Sequence, residues 1–168
     1  MVPDTDLQLS VVIKALETAV IPALDPSNRL AMEQCHLAVA TLGFIRLRLP
    51  LTRRMQRKEL SDNLALAESV RDSSKADDMG SQIDGGRAAL ADADMDTSDL
   101  AMLNSQLLCA ITSVVETAQG DREIALTVIT AMKDQAQRAR AWYLPGGFEP
   151  EPALIPAIET LLSGPTFR

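Results

Sequence analysis

The chain has 168 residues and 18.1 kDa, with 46% hydrophobic and 23% charged residues, a size and balance that suit one folded domain and exclude wholesale disorder. Leu and Ala number 23 each while Val and Ile reach 9 each, so helix formers dominate strand formers and the composition points to an all-α fold. The net charge of −7 has the wrong sign for a general nucleic-acid binder, which must neutralise phosphates.

A first helix is predicted from Asp4 or Thr5 to about Leu24, with Leu9, Ile13, Leu16 and Val20 on one face. Pro22 and then Asp25-Pro26-Ser27 end it. Ser27 or Asn28 caps a second helix, which carries Ala31, Cys35, Ala38, Leu42, Ile45 and Leu49 as a seam, broadened by Leu30, Leu37 and Phe44. This helix is expected to be the most buried, and Pro50 stops it. Its uncharged run from Gln34 to Ile45 is 12 residues long, too short for a membrane crossing of about 20. A third helix of lower apolar content (Met55, Leu60, Leu64, Leu66, Val70) is expected from Leu51 or Thr52 to about Arg71. Residues 72–99 turn acidic and glycine-bearing and read as a long loop with one short helix around Gln82 to Ala93.

Thr97 or Ser98 caps a fourth helix with Leu100, Leu103, Leu107, Ile111, Val114 and Ala118 inward, ended by Gly120. Asp121 caps a fifth with Ala125, Ile129, Met132, Ala136, Ala139 and Tyr143 inward. After the Pro145-Gly146-Gly147 turn a short last helix spans about Pro152 to Leu162. Four or five long helices and a short C-terminal one make an antiparallel bundle, read as a single domain over 1–168.

The clearest charge feature is RLRLPLTRRMQRK at 46–58, six basic side chains without an acid, followed by eleven acids and three bases from Glu59 to Asp99. Arg53 with Arg57, and Arg54 with Lys58, lie four apart and form a two-row stripe. These four residues are the candidate ligand-binding set for a phosphate, a carboxylate or an acidic partner. The competing reading pairs them with the acidic segment that follows. WYLPGGF holds three of the five aromatics, and Trp142, Tyr143 and Phe148 are candidate interaction residues; their alternative role is closing the bundle end.

Glu33 and His36 have the E-x-x-H spacing of di-iron bundles, but His36 is the only histidine, so a complete di-iron or three-histidine zinc site cannot form within one protomer. Asp92, Asp94, Asp96 and Asp99 lack the glycine and glutamate of a calcium loop. No metal or cofactor is expected, and no phosphate-binding loop, nucleophile elbow or zinc-protease motif occurs. Cys35 and Cys109 have no CxxC partner and read as core hydrophobes in a reducing cytoplasm, in line with an amino terminus that has acids where a signal peptide needs bases.

The opening KALETAVIPALDPSNRLAMEQCHLAVATL, through Val20-Ile21-Pro22-Ala23-Leu24 and then Leu37 to Leu42, resembles an uncharacterised bacterial helical-bundle family that accompanies aminoglycoside-phosphotransferase-like proteins. The resemblance spans about a quarter of the chain and transfers no catalytic residue. The sequence therefore leads to a protein-interaction or accessory module, self-associating or bound to another protein. An anion binder using Arg53, Arg54 and Arg57 is the second expectation, and a metal-dependent enzyme around Glu33 and His36 the third.

Overall fold

A computed structural model describes residues 4–74, 79–118 and 121–163, and every regular element among them is helical. The all-α reading is correct. The chain, expected as one domain, forms two compact units: residues up to Leu51 with Pro145–Phe148, and Thr52–Leu144 with the segment from Glu149 onward.

In the first unit, α1 (Thr5–Ala15) is capped by the Asp4 carboxylate, which accepts from the amides of Asp6 and Leu7. It widens into a π-turn at Leu16–Val20 and closes with α2 (Ile21–Ala23). Pro22 gives the reason: it has no N–H, and its ring would press on the carbonyl of Thr18 four residues earlier. The wider turn, in which Ile21 donates to Leu16, relieves that pressure. After the Asp25–Asn28 turn, Asn28 caps α3 (Arg29–Arg48) through the Ala31 amide. The Arg46–Asp6 ion pair, 2.6 Å at its shortest, ties the end of α3 to the start of α1 and makes the hairpin antiparallel.

In the second unit, α4 (Thr52–Ser74) is the central helix and packs on α5 (Gly80–Ala91), α6 (Thr97–Thr117), α7 (Arg122–Tyr143) and α8 (Ile158–Ser163). Successive helices alternate in direction, since Ser74 and Thr117 at the ends of α4 and α6 line one cleft with Gln82 and Ile124 at the starts of α5 and α7. Leu60, Leu64, Leu66, Val70, Met79, Ile83, Leu100, Leu107, Ile111 and Ile124 fill the core. Asp121 caps α7 as expected, accepting from Glu123 and Ile124. At α6 the N-cap position is Asp96 rather than Thr97 or Ser98. Gly120, expected to end the fourth helix, lies outside the described residues.

Four expectations are corrected. The second predicted helix, α3, was expected to be the most buried, yet its one buried residue is Arg48; α4, with its lower apolar content, buries eight. Neighbours decide this, because α4 is enclosed by four helices while within its unit α3 meets only the α1–α2 arm. In 72–99 the expected short helix is present as α5, from Gly80 to Ala91, but the loop around it is shorter than expected, because α4 runs to Ser74 and α6 starts at Thr97; residues 75–78 lie outside the described residues. Gly85-Gly86 lies inside α5, where a Cβ on Gly86 would come within 3.0 Å of Leu64 and of Leu107. Glycine there lets α5 approach α4 and α6 closely. On α7, Ile124, Ala131, Arg138 and Ala141 face inward, while Ala125, Ile129, Met132, Ala136 and Tyr143 lie exposed. Cys109 is also exposed and Cys35 half-buried, so neither is a core hydrophobe.

By length and composition α6 is the one helix among the described residues able to cross a membrane, a test that core helices of globular bundles also pass. Here its Leu100, Leu107, Ile111 and Val114 face lies in the core with α4 and α5.

Candidate functional site

The basic stripe sits on the first turns of α4 and faces the end of α5. Arg57 donates to the carbonyls of Leu90 and Asp92, and Arg53 to that of Ala93. A helix C-terminus leaves carbonyls without intrahelical partners and carries a partial negative charge, and these guanidinium groups satisfy both. Arg54 donates to Ser163 Oγ at 3.0 Å, and Lys58 to Asp62 Oδ1 at 2.7 Å. The stripe does meet the acidic segment: Arg53 and Arg57 through main-chain carbonyls, and Lys58 through the Asp62 carboxylate.

The most concentrated polar chemistry is in the middle of α4, where the sequence reading saw none. Asp62 is buried and bridges two cations, Lys58 Nζ and Arg138 Nη1, each at 2.7 Å. Arg138 is 3% exposed, and its Nε and Nη2 have no hydrogen-bond partner among the described residues. Glu59 is half-buried beside them. Burial pushes its carboxyl above the ordinary value, Arg138 pulls it back, and the Asp62 charge adds to the rise. An amide chain continues the network: Gln135 donates to Asn63, Asn63 to Asn104, and Asn104 to the Gln56 carbonyl at 3.0 Å. Such a core specifies which faces meet, since a shifted register would strand buried charges. One signal was available: Asn104 falls at the four-residue step from Leu100 that a core position occupies, as does Asn63 relative to Ala67.

Glu33 and His36 are both exposed on α3, and among the described residues no group of three or more His, Cys, Asp or Glu side chains is arranged to hold a metal. A cleft of about 630 Å³ opens where α4, α5, α6 and α7 end or begin, lined by Ser73, Gln82, Ser113, Thr117 and Asp121. Its Asp121 carboxylate is committed to capping α7, and the Thr117 hydroxyl donates to Ser113 on its own helix.

The surface that differs most from a solvated helix is the outer side of α7. Arg122, Leu126, Ile129, Lys133, Ala136 and Arg140 recur at steps of four and three, and all are exposed. Leu126 and Ile129 keep 53% and 56% of their surface in water, with Met132 and Tyr143 alongside. Glu123 and Asp134 project about a quarter turn or more away, so the strip itself is apolar and basic. Arg140 is held by Glu149 through two bonds of 3.0 and 2.6 Å, which lowers the Glu149 pKa and raises that of Arg140. Of the three aromatic candidates, Trp142 is half-buried, Tyr143 is exposed at the end of this strip, and Phe148 is 94% exposed in the other unit. Closing a core is therefore not the role of Tyr143 or Phe148. In the turn before Phe148, Gly147 has φ +77°, a conformation that glycine adopts without strain.

No protein-family model matches the chain, and comparison with curated proteins and with solved structures finds no match either.

Proposed function

We propose that this protein is an interaction module that docks an acidic, amphipathic helix of another protein on the outer side of α7. One observation carries the reading: a seam with the spacing of a core face, Ala125, Ile129, Met132, Ala136 and Tyr143, lies on the outside of a bundle whose core is filled without it. A contiguous apolar strip of this kind marks a binding surface. Leu126, Ile129 and Met132 supply apolar anchors at helical spacing, Tyr143 a rigid aromatic, and Arg122 and Lys133 select a partner with acids along its flanks. The free thiols, with Cys109 exposed, support work in a reducing compartment such as the cytoplasm. The anion-binding alternative gains no support, because a ligand at Arg53 or Arg57 would have to displace the carbonyls of Leu90, Asp92 and Ala93 at and just beyond the end of α5.

The test is site-specific photo-crosslinking in the cells that make the protein. A crosslinker at Ile129 or Tyr143 is expected to capture one discrete protein, whereas the same group at exposed Thr112 on α6 captures none. Ile129→Glu introduced beside the Tyr143 crosslinker is expected to abolish the product. Equal labelling from Ile129 and Thr112 overturns the reading.

A further inference from the structure

The α1–α3 hairpin has no aliphatic core of its own. Among its described residues no aliphatic side chain is buried, although α3 carries an uncharged run of 12 residues from Gln34 to Ile45. Along α3, Leu30, Glu33, Leu37, Ala40, Phe44 and Leu47 recur at steps of three and four, the spacing of a coiled-coil seam. Leu30 is 68% exposed and Leu37 and Leu47 are each 58% exposed, while Phe44 is half-buried. Beside the seam lies a groove of about 600 Å³ between α1 and α3, lined by Ile13, Val39, Ala40, Gly43 and Pro145. A Cβ on Gly43 would meet nothing within 4 Å, so the groove wall there is open to a side chain from outside.

We infer that this seam is a self-association surface on which the α3 helices of two copies of the chain pair antiparallel, the two hairpins forming a four-helix bundle. It is a different surface from the outer side of α7 and stands independently of the function proposed for it. Three features favour a second copy as the occupant. An antiparallel two-helix hairpin is half of a four-helix bundle, and closing it needs only the same element again. Residues 4–51 carry five acids and four bases, a net of −1, so two hairpins meet with little repulsion although the whole chain has −7. The seam exposes on the order of 400 Å² of apolar surface, from the size of aliphatic side chains. A standard protomer face of about 800 Å², about three-fifths apolar, needs about 480 Å², so the seam supplies most of it and the flanking groove must supply the rest.

Antiparallel pairing sets Leu30 opposite Leu47 of the second copy and Leu37 opposite Ala40, so large meets small near the two-fold axis. Glu33 then falls opposite Phe44, the one polar side chain in the seam. A single polar seam residue fixes register at a cost in stability, which gives the surface two opposite handles. Sedimentation equilibrium of the full chain at several concentrations is the test. The wild type is expected to show a monomer–dimer equilibrium. Leu37→Glu weakens it by about tenfold or more with helical content unchanged, and Glu33→Leu tightens it by about tenfold. A wild type that stays monomeric at every concentration overturns the inference, as does a dimer indifferent to both variants. If Ile129→Glu dissociates the dimer and Leu37→Glu does not, self-association belongs to α7 and the α3 surface is excluded.

Discussion

Asp62 shares one carboxylate between Lys58 and Arg138 inside the bundle, and Glu59 stands near enough to feel both the Arg138 and the Asp62 charge. The consequence for stability follows from the direction of the Glu59 shift. Burial raises its folded pKa above the ordinary 4.5, so the fold favours the protonated carboxyl. The stabilisation is complete below the ordinary value and is lost as pH rises through the elevated folded value, because over that window the native state holds the extra proton. Glutamine at position 59 keeps the shape and never ionises. Glu59→Gln is therefore expected to be more stable than the wild type at neutral pH, with the advantage vanishing in acid. Urea midpoints for both proteins from acid to neutral pH measure this, and a difference constant across the range would count against the account. Glu149 and Asp6, whose carboxyls are lowered by hydrogen bonds from Arg140 and Arg46, titrate alike in both proteins and drop out of the comparison.

At the scale of elements, α5 isolates what glycine does in a helix. Gly85 and Gly86 are neighbours on one helix but meet different surroundings: a Cβ at 85 would find Leu103 at 3.8 Å, an ordinary contact, whereas one at 86 would crowd Leu64 and Leu107 at 3.0 Å. Gly85→Ala should gain about 0.5–1 kcal/mol from reduced backbone entropy in the unfolded chain and better helix propensity. Gly86→Ala should gain distinctly less or lose stability, because two core leucines must shift to admit the methyl. Equal midpoints for the two variants in urea would show that α5 does not approach α4 and α6 as described. The same helix explains what was legible in the sequence. Helical periodicity revealed each long helix, the Asp121 cap was readable from side-chain chemistry alone, and Asn28 was one of two candidates with Ser27. The side of α7 that faces inward was not, because that helix has two candidate faces. The face with the cleaner apolar spacing, Ile129 and Met132, is outside, and the one carrying Gln135 and Arg138 is inside. Pairwise chemistry with Asn63 and Asp62 decides between them, and no single-helix pattern contains that information.

At the scale of the whole molecule, apolar content and burial are distributed differently. The core lies in α4 to α7, while the α1–α3 hairpin holds aliphatic side chains that remain in water. Apolar burial is the main favourable term in folding, so resistance to local opening should follow burial rather than composition. Amide hydrogen exchange makes the comparison directly. In dilute protein, amides of α4 and of the α6 segment from Leu100 to Val114 should exchange slowest, and those of α1 and α3 faster. Concentration adds a second axis. Pairing of α3 with a second copy buries Leu37 and its neighbours, and binding to the native state raises protection by mass action. Protection of α3 should then rise with protein concentration while that of α4 stays the same. If α3 is as protected as α4 in dilute solution, the hairpin is stabilised within a single chain and composition, not burial by a second copy, sets its stability. If protection of α3 is low at every concentration, the exposed leucines of α3 serve no second copy.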